Sequence, residues 1–222
     1  MIKSIVISHY NEDIEWISNI DKSIRIYLYT KGSQDLSFFN KIENIKIYNL
    51  QNVGKEQQTY FYHIVNNYNS LEDLMYFIQA NPFEHCIDFL DKLNNNFIGP
   101  LSDFNLITSI YGQPDETKYK RHIDHKYGNA LPSDIIGNIF IDPWNEDVSL
   151  YTINYIIDVI PELNIKKENW IYNANGLYSS TREKIQKIPK SVYDKCLSIF
   201  YDSNINMTEY AFERLQKFIL LK

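Results

Sequence analysis

The hydrophobic positions of the first 80 residues change period in a regular way. Residues 3–8 alternate around Ile5 and Ile7, which predicts a first strand. Residues 24–29 predict a second, closed by Thr30-Lys31-Gly32, and Ile45, Ile47 and Leu50 alternate into a third. Between them, Ile14, Ile17 and Ile20 have helical spacing behind a possible Asn11 cap, and residues 37–42 suit a short helix. Asn52-Val53-Gly54 breaks the third run. A helix follows over roughly residues 56–67, with Tyr60, Phe61, Ile64, Val65 and Tyr68 on one face. Leu74-Met75-Tyr76-Phe77-Ile78 lacks polar alternation, so it reads as a strand covered on both faces and ended by Pro82.

This alternation of β and α is the pattern of a parallel, doubly wound sheet. Strand, glycine turn, helix and buried strand make a βαβ unit. Open α/β sheets bind ligands beyond the carboxyl ends of their strands. The polar clusters at residues 52–57 and 79–85 fall at such ends. Gly54 and Lys55 at a helix N-terminus suit an anion such as phosphate; an ordinary turn is the alternative. Lys55 also adds positive charge to a helix end that is already partly positive.

The rest of the chain reads as more helical. Cys86, Ile87, Phe89, Leu90 and Leu93 share a helix face, and residues 101–110 form a second apolar helical stretch. Residues 111–134 read as a long loop with a basic patch, Lys118, Lys120, Arg121 and His122. His122 and His125 have H-x-x-H spacing without a nearby Cys or Glu. A strand is expected at 135–141, ending at Asp142, and an amphipathic helix at 148–160. Short strands follow at 170–172 and 176–179, then a capping box at Ser180-x-x-Glu183. Helices are expected at 192–201 and, capped by Thr208, at the C-terminus with Tyr210, Phe212, Leu215, Phe218 and Ile219 inward. Without repeats or a linker, residues 1–222 read as one domain.

Composition narrows the function classes. A net charge of −6 with interspersed signs argues against nucleic-acid or anionic-membrane binding, but not against a nucleotide. The 18 tyrosines suit half-buried core positions, or stacking on bases and sugars. Cys86 and Cys196 lack C-x-x-C spacing, so reduced thiols are expected, with a bridge between them as the alternative. The start of the sequence has no secretory pattern and no apolar run reaches membrane-spanning length, so a cytoplasmic location is expected.

Several blocks occur in a familiar order: Val6-Ile7-Ser8-His9-Tyr10-Asn11-Glu12-Asp13, Tyr27-Leu28-Tyr29-Thr30-Lys31-Gly32, Asn52-Val53-Gly54-Lys55-Glu56 and Phe77-Ile78-Gln79-Ala80-Asn81-Pro82-Phe83-Glu84-His85. With Asn175-Gly176-Leu177-Tyr178-Ser179-Ser180-Thr181-Arg182-Glu183 and Glu213-Arg214-Leu215, they resemble a domain family of unknown function related to GT-A glycosyltransferases. The chain is also similar to the first domain of a chlorovirus multidomain glycosyltransferase. The resemblance spans nearly the whole chain.

It implies a GT-A-like, Rossmann-like sheet, with residues 1–85 as the nucleotide-binding half and 86–222 on the acceptor side. The donor would be a nucleoside-diphosphate sugar, UDP-sugar first, and the acceptor a glycan or protein. Ser8, His9, Tyr10, Asn11 and Glu12 would meet the base. Gly54 and Lys55 would meet the ribose or diphosphate, and Lys31, Asn52, Gln79 and Asn81 complete the donor site. GT-A enzymes place Asp-x-Asp after the buried strand to hold Mn²⁺ or Mg²⁺. Here Gln79-Ala80-Asn81 stands there, and amides bind hard cations less well than carboxylates. Glu84 and His85 are the substitute ligands. The family usually carries Arg, Gly and Asp where this chain has Lys55, Ala80 and Glu84. Asp142, Glu209 and Glu213 are the candidate bases for an acceptor hydroxyl. Two other classes stay open: a non-catalytic nucleotide- or glycan-binding module, and a protein-interaction domain with a tyrosine-rich face.

Overall fold

The computed structural model describes residues 1–102, 105–107, 139–141, 147–166 and 171–220. Its first strands are β1 (Lys3–His9), β2 (Arg25–Thr30), β3 (Ile45–Asn49) and β4 (Leu74–Gln79). Helix α1 (Lys55–Asn67) joins β3 to β4, as the change of period predicts. The links from β1 to β2 and from β2 to β3 each carry a five-residue 3-10 helix, Glu15–Asn19 and Ser37–Lys41. Asn11 does not cap the first of these; its side chain accepts the Ser33 amide instead, at 3.2 Å.

Beyond β4 come α2 (Phe89–Asn94), β5 (Gly99–Pro100), β6 (Asn105–Ile107), β7 (Ile139–Ile141) and α3 (Asp147–Val159). They are followed by β8 (Ile171–Asn173), β9 (Tyr178–Thr181), α4 (Arg182–Gln186), α5 (Lys190–Ile199) and α6 (Thr208–Leu220). The helix expected at 101–110 is thus corrected: of its described residues, 101–102 are outside any helix and Asn105–Ile107 form strand β6, paired to β7 and β8 in a three-stranded sheet. Two caps also shift. Thr181, not Ser180, caps α4 by accepting the Lys184 amide at 3.2 Å. Thr208 is the first residue of α6 and donates back to Ile205 O.

The main sheet has the order β3-β2-β1-β4-β9-β5. β3, β2, β1 and β4 run parallel; β9 is antiparallel to β4, and β5 to β9. The chain starts in the middle, moves outward to β3, then crosses back through α1 to β4 on the other side. β1 and β4 therefore flank a topological switch point, where open sheets form a crevice at their carboxyl ends. Both faces are covered, so the central strands are apolar on both sides. Val6, Tyr27, Tyr29, Met75 and Phe77 pack with α1, α3, α5 and α6. Ile5, Ile7, Ile26, Leu28, Tyr76 and Ile78 pack with Ile17, Phe39 and Phe89 on the opposite face. Cys196 lies in the first core and Cys86 in the second; both are free, which settles the bridge between them in the negative. Among the described residues no helix is long and apolar enough to cross a membrane.

Candidate functional site

A cleft of about 420 Å³ opens at the switch point. It is lined by residues from the ends of β1, β2 and β4 and from the start of α1: Ser8, His9, Tyr10, Glu12, Lys31, Asn52, Lys55, Glu56 and Gln79. The strand register brings Ser8 beside Gln79 and His9 beside Thr30. The three places that the sequence marks, the end of the first strand, the Gly54 turn and Gln79, thus converge on one sheet edge.

The loop after β1 is tightly organised. The His9 ring is 1% exposed, and its bonds are taken: Nδ1 with Thr30 Oγ1 at 3.0 Å, Nε2 with Gln34 Oε1 at 3.0 Å and Glu12 O at 3.2 Å. The Glu12 carboxylate accepts the Tyr10 and Asn11 amides at 2.7 and 3.1 Å. His9, Asn11 and Glu12 therefore shape the loop, and Tyr10, 51% exposed, is left with a free aromatic face beside the cleft. Ser8 Oγ meets Thr59 Oγ1 of α1 at 3.1 Å.

Two lysines supply positive charge. Lys31 is nearly buried, and its ammonium donates to Val53 O at 2.7 Å and to Lys55 O. An ammonium has three protons, so one remains for the cleft. Burial pushes its pKa down to about 8, against the opposing pull of Glu56 and Glu209. Gly54 caps α1 with φ +59, a conformation that favours glycine, and a Cβ there would stand 2.2 Å from the Phe200 ring. Lys55 follows with φ +44, a left-handed geometry that costs a side-chain residue about 1–2 kcal/mol. Its ammonium is held by Tyr210 of α6, at 2.5 Å from the hydroxyl and 4.2 Å from the ring centroid. Because of this anchor, Lys55→Ala should lower the stability of the ligand-free protein by about 1 kcal/mol, the scale of one exposed cation–π contact plus a hydrogen bond. Urea titration of the two proteins checks it; equal midpoints would mean that the Tyr210 contact contributes nothing.

On the other side of the cleft, Gln79 Nε2 donates to Asn175 O at 3.1 Å, and Asn175 N donates to Glu213 at 2.5 Å. Asn175 itself has φ +73, so Glu213 and Gln79 clamp a strained turn between β8 and β9. Glu213, expected as a base, accepts this amide through Oε1. Glu209, one turn earlier on α6, is half-buried, and its charge reaches Lys31 and Lys55. Asn81 and Glu84 are exposed. Among the described residues no group of three or more His, Cys, Asp or Glu side chains is placed to hold a metal ion. Asp142, the basic patch at Lys118, Lys120, Arg121 and His122, and His125 lie outside the described residues.

Three site residues escape the sequence reading. Tyr210 comes from 155 positions beyond Lys55. Trp16 donates to Ala80 O at 2.9 Å and sets its edge on Phe83 and Phe89, so it pins the end of β4. Glu56 lines the cleft beside Lys55; its signal in the sequence is its place in the polar cluster at residues 52–57, with no role attached.

Residues 5–142, more than half of the 222, match the family described as "Protein of unknown function (DUF3431)". The chain belongs to that family. The match covers β1 to β4, and with them every element that lines the cleft. Comparison with curated proteins finds no match.

Proposed function

We propose that this DUF3431 chain is a GT-A-like glycosyltransferase that takes a sugar from a nucleoside diphosphate, UDP first, to a glycan or protein acceptor. The observation that carries this reading is the cleft at the β1/β4 switch point, with two lysines and the N-terminus of α1 on one wall. Such a wall suits a diphosphate, because free helix N–H groups and ammonium protons both favour anions. Tyr10, exposed on the loop after β1, suits stacking on a base.

Lys31 and Lys55 would offset the charge of the departing diphosphate. Of the α6 carboxylates, Glu213 is committed to the Asn175 amide, so Glu209 is assigned to take the acceptor's proton. A metal-held diphosphate does not fit the described donor set. Gln79 offers only an amide oxygen, and Asn81 and Glu84 are exposed and form no metal-holding cluster among the described residues. No step here depends on a metal. The same substitution favours a second reading, a nucleotide- or glycan-binding module without turnover.

A thermal-shift panel of nucleoside diphosphates and their sugars, with and without Mn²⁺, tests the proposal. Ligand at a hundredfold over its dissociation constant adds about 2.7 kcal/mol. In a protein of this size that raises the melting temperature by roughly 5–10 °C. Flat curves across the whole panel would dismiss the enzyme and the nucleotide-binding module, and leave only a glycan-binding module. Binding with donor hydrolysis supports the enzyme, and binding without it supports the module.

A further inference from the structure

Lys55 takes a left-handed backbone, φ +44, directly after the left-handed Gly54. Such geometry persists in a residue with a side chain only where the surroundings fix it. Both ends of Lys55 are fixed. Its carbonyl accepts the Lys31 ammonium, and its own ammonium donates to the Tyr210 hydroxyl at 2.5 Å, 4.2 Å from the ring centroid. With these contacts made, Lys55 still lines the cleft. Tyr210 is half-buried on α6 and stands behind Lys55, outside the set of residues that line the cleft. The helix that carries it is tied to the helix that begins at Lys55. Gln216 Nε2 donates to Gln57 Oε1 at 2.5 Å, and the Phe61 and Phe212 rings meet edge-on at 4.8 Å. Tyr210 is thus presented from a rigid support.

The kind of partner matters. A carboxylate would hold the ammonium as firmly, but would also cancel its charge. Glu56 and Glu209 are near enough for their charges to reach Lys55, yet neither forms an ion pair with it among the described residues. The Tyr210 hydroxyl is neutral. It orients the lysine and leaves the positive charge for a ligand. An ammonium has three protons, and the hydroxyl takes one. Burial works against the charge, but the bond to Tyr210 more than offsets it, so Lys55 titrates above the ordinary lysine value. A loose lysine must be ordered when it grips an anion, and that ordering weakens binding. Here the ordering is complete before a ligand arrives.

We infer that Tyr210 is a positioning residue for the diphosphate: it holds Lys55 ordered at the cleft wall with its charge uncancelled. This rests on the nucleotide reading of the cleft. Tyr210 touches no ligand in this arrangement and acts only through Lys55.

Calorimetric titration of UDP into wild type, Lys55→Met, Tyr210→Ala and the double variant tests this. Lys55→Met should weaken UDP by about ten- to a hundredfold, the scale of hydrogen bonds to a charged group. Tyr210→Ala should weaken it by about three- to tenfold, the scale of ordering one long side chain. The double variant should bind no more weakly than Lys55→Met. Such non-additivity shows that one residue acts through the other, which a general loss of structure would not give. Tyr210→Phe keeps the ring and should lose less than Tyr210→Ala; the same cycle run with it keeps the test open if Tyr210→Ala folds poorly. Tyr210 variants that bind UDP as wild type does, or whose loss adds in full to that of Lys55→Met, overturn the inference and leave the nucleotide reading standing. Tighter binding overturns it too, because the tyrosine would then be holding the lysine back. If wild type binds no nucleotide at all, both fall.

Discussion

Gly32→Ala is expected to cost about 3 kcal/mol and to open the cleft. The reason is contact, not backbone conformation. A Cβ on Gly32 would stand 1.5 Å from Tyr10 O and 2.5 Å from Asn11 Oδ1. No rotamer relieves a clash with a backbone carbonyl, so the loops after β1 and β2 must separate. Separation breaks the bonds that join them: Lys31 N to His9 O at 2.8 Å, Ser33 N to Asn11 Oδ1 at 3.2 Å and His9 Nδ1 with Thr30 Oγ1 at 3.0 Å. Each contributes about 1 kcal/mol, which sets the total. For a chain of 222 residues this lowers the melting temperature by roughly 6–12 °C. Lys31 and Tyr10 would lose their common register, so nucleotide binding should weaken in the same variant. A melt within about 1 °C of wild type would show that the two loops part at no cost.

The parallel half was legible because its signals are local. Each of the first strands carries its own apolar alternation or run, and Gly54 marks where α1 begins. The region after Pro82 was harder for a physical reason. An apolar run such as 101–107 has no period of its own, and β6 becomes a strand through its partners β7 and β8, which come much later in the chain. Helix α1 shows the same limit from another side. Its apolar stripe was visible, but Gln57, Gln58, Thr59 and His63 are buried too. They face α5, α6 or the sheet and find partners there: Gln216, Tyr201, Ser8 and Tyr29. Polar residues that pair across the fold look like a solvated face in one dimension.

The site divides in the same way. Strand ends can be aligned from the sequence, since parallel strands put their carboxyl ends on one edge. What each side chain does there cannot. His9 lines the cleft with its ring nitrogens bonded to Thr30 and Gln34, and Glu213 accepts the Asn175 amide, partners that no local pattern announces. Glu56 falls in the polar cluster at residues 52–57, and its place in the cleft wall bears that cluster out, but no role could be assigned to it from the sequence. These assignments depend on loops and helices that meet only in three dimensions.

Acidification from pH 6.5 to 4 should remove about 3 kcal/mol of stability through one residue, His63. Its ring is fully buried in α1, edge-on to Tyr27 at 4.6 Å, and shares a hydrogen bond with the Tyr29 hydroxyl at 2.9 Å. Its Nε2 has no partner, so a second proton there would be buried without an acceptor. Burial pushes the pKa down to about 4, although the charge of Glu72 pulls the other way. In the unfolded chain the ring titrates near its usual 6.5. The unfolded state therefore takes the proton first, and stability falls as pH drops from 6.5 to 4, then levels off. Glu72 acts lower on the scale. Burial alone would raise its pKa, but hydrogen bonds from Tyr27 and Arg25 hold it below its usual value, so its contribution is lost only as pH falls below about 4.5. Urea unfolding at pH 7, 6 and 5 separates the two. Wild type should weaken across that window, and His63→Gln, which cannot gain a proton, should weaken less. Parallel curves for the two proteins would mean that His63 reaches water, or a proton acceptor, in the folded state.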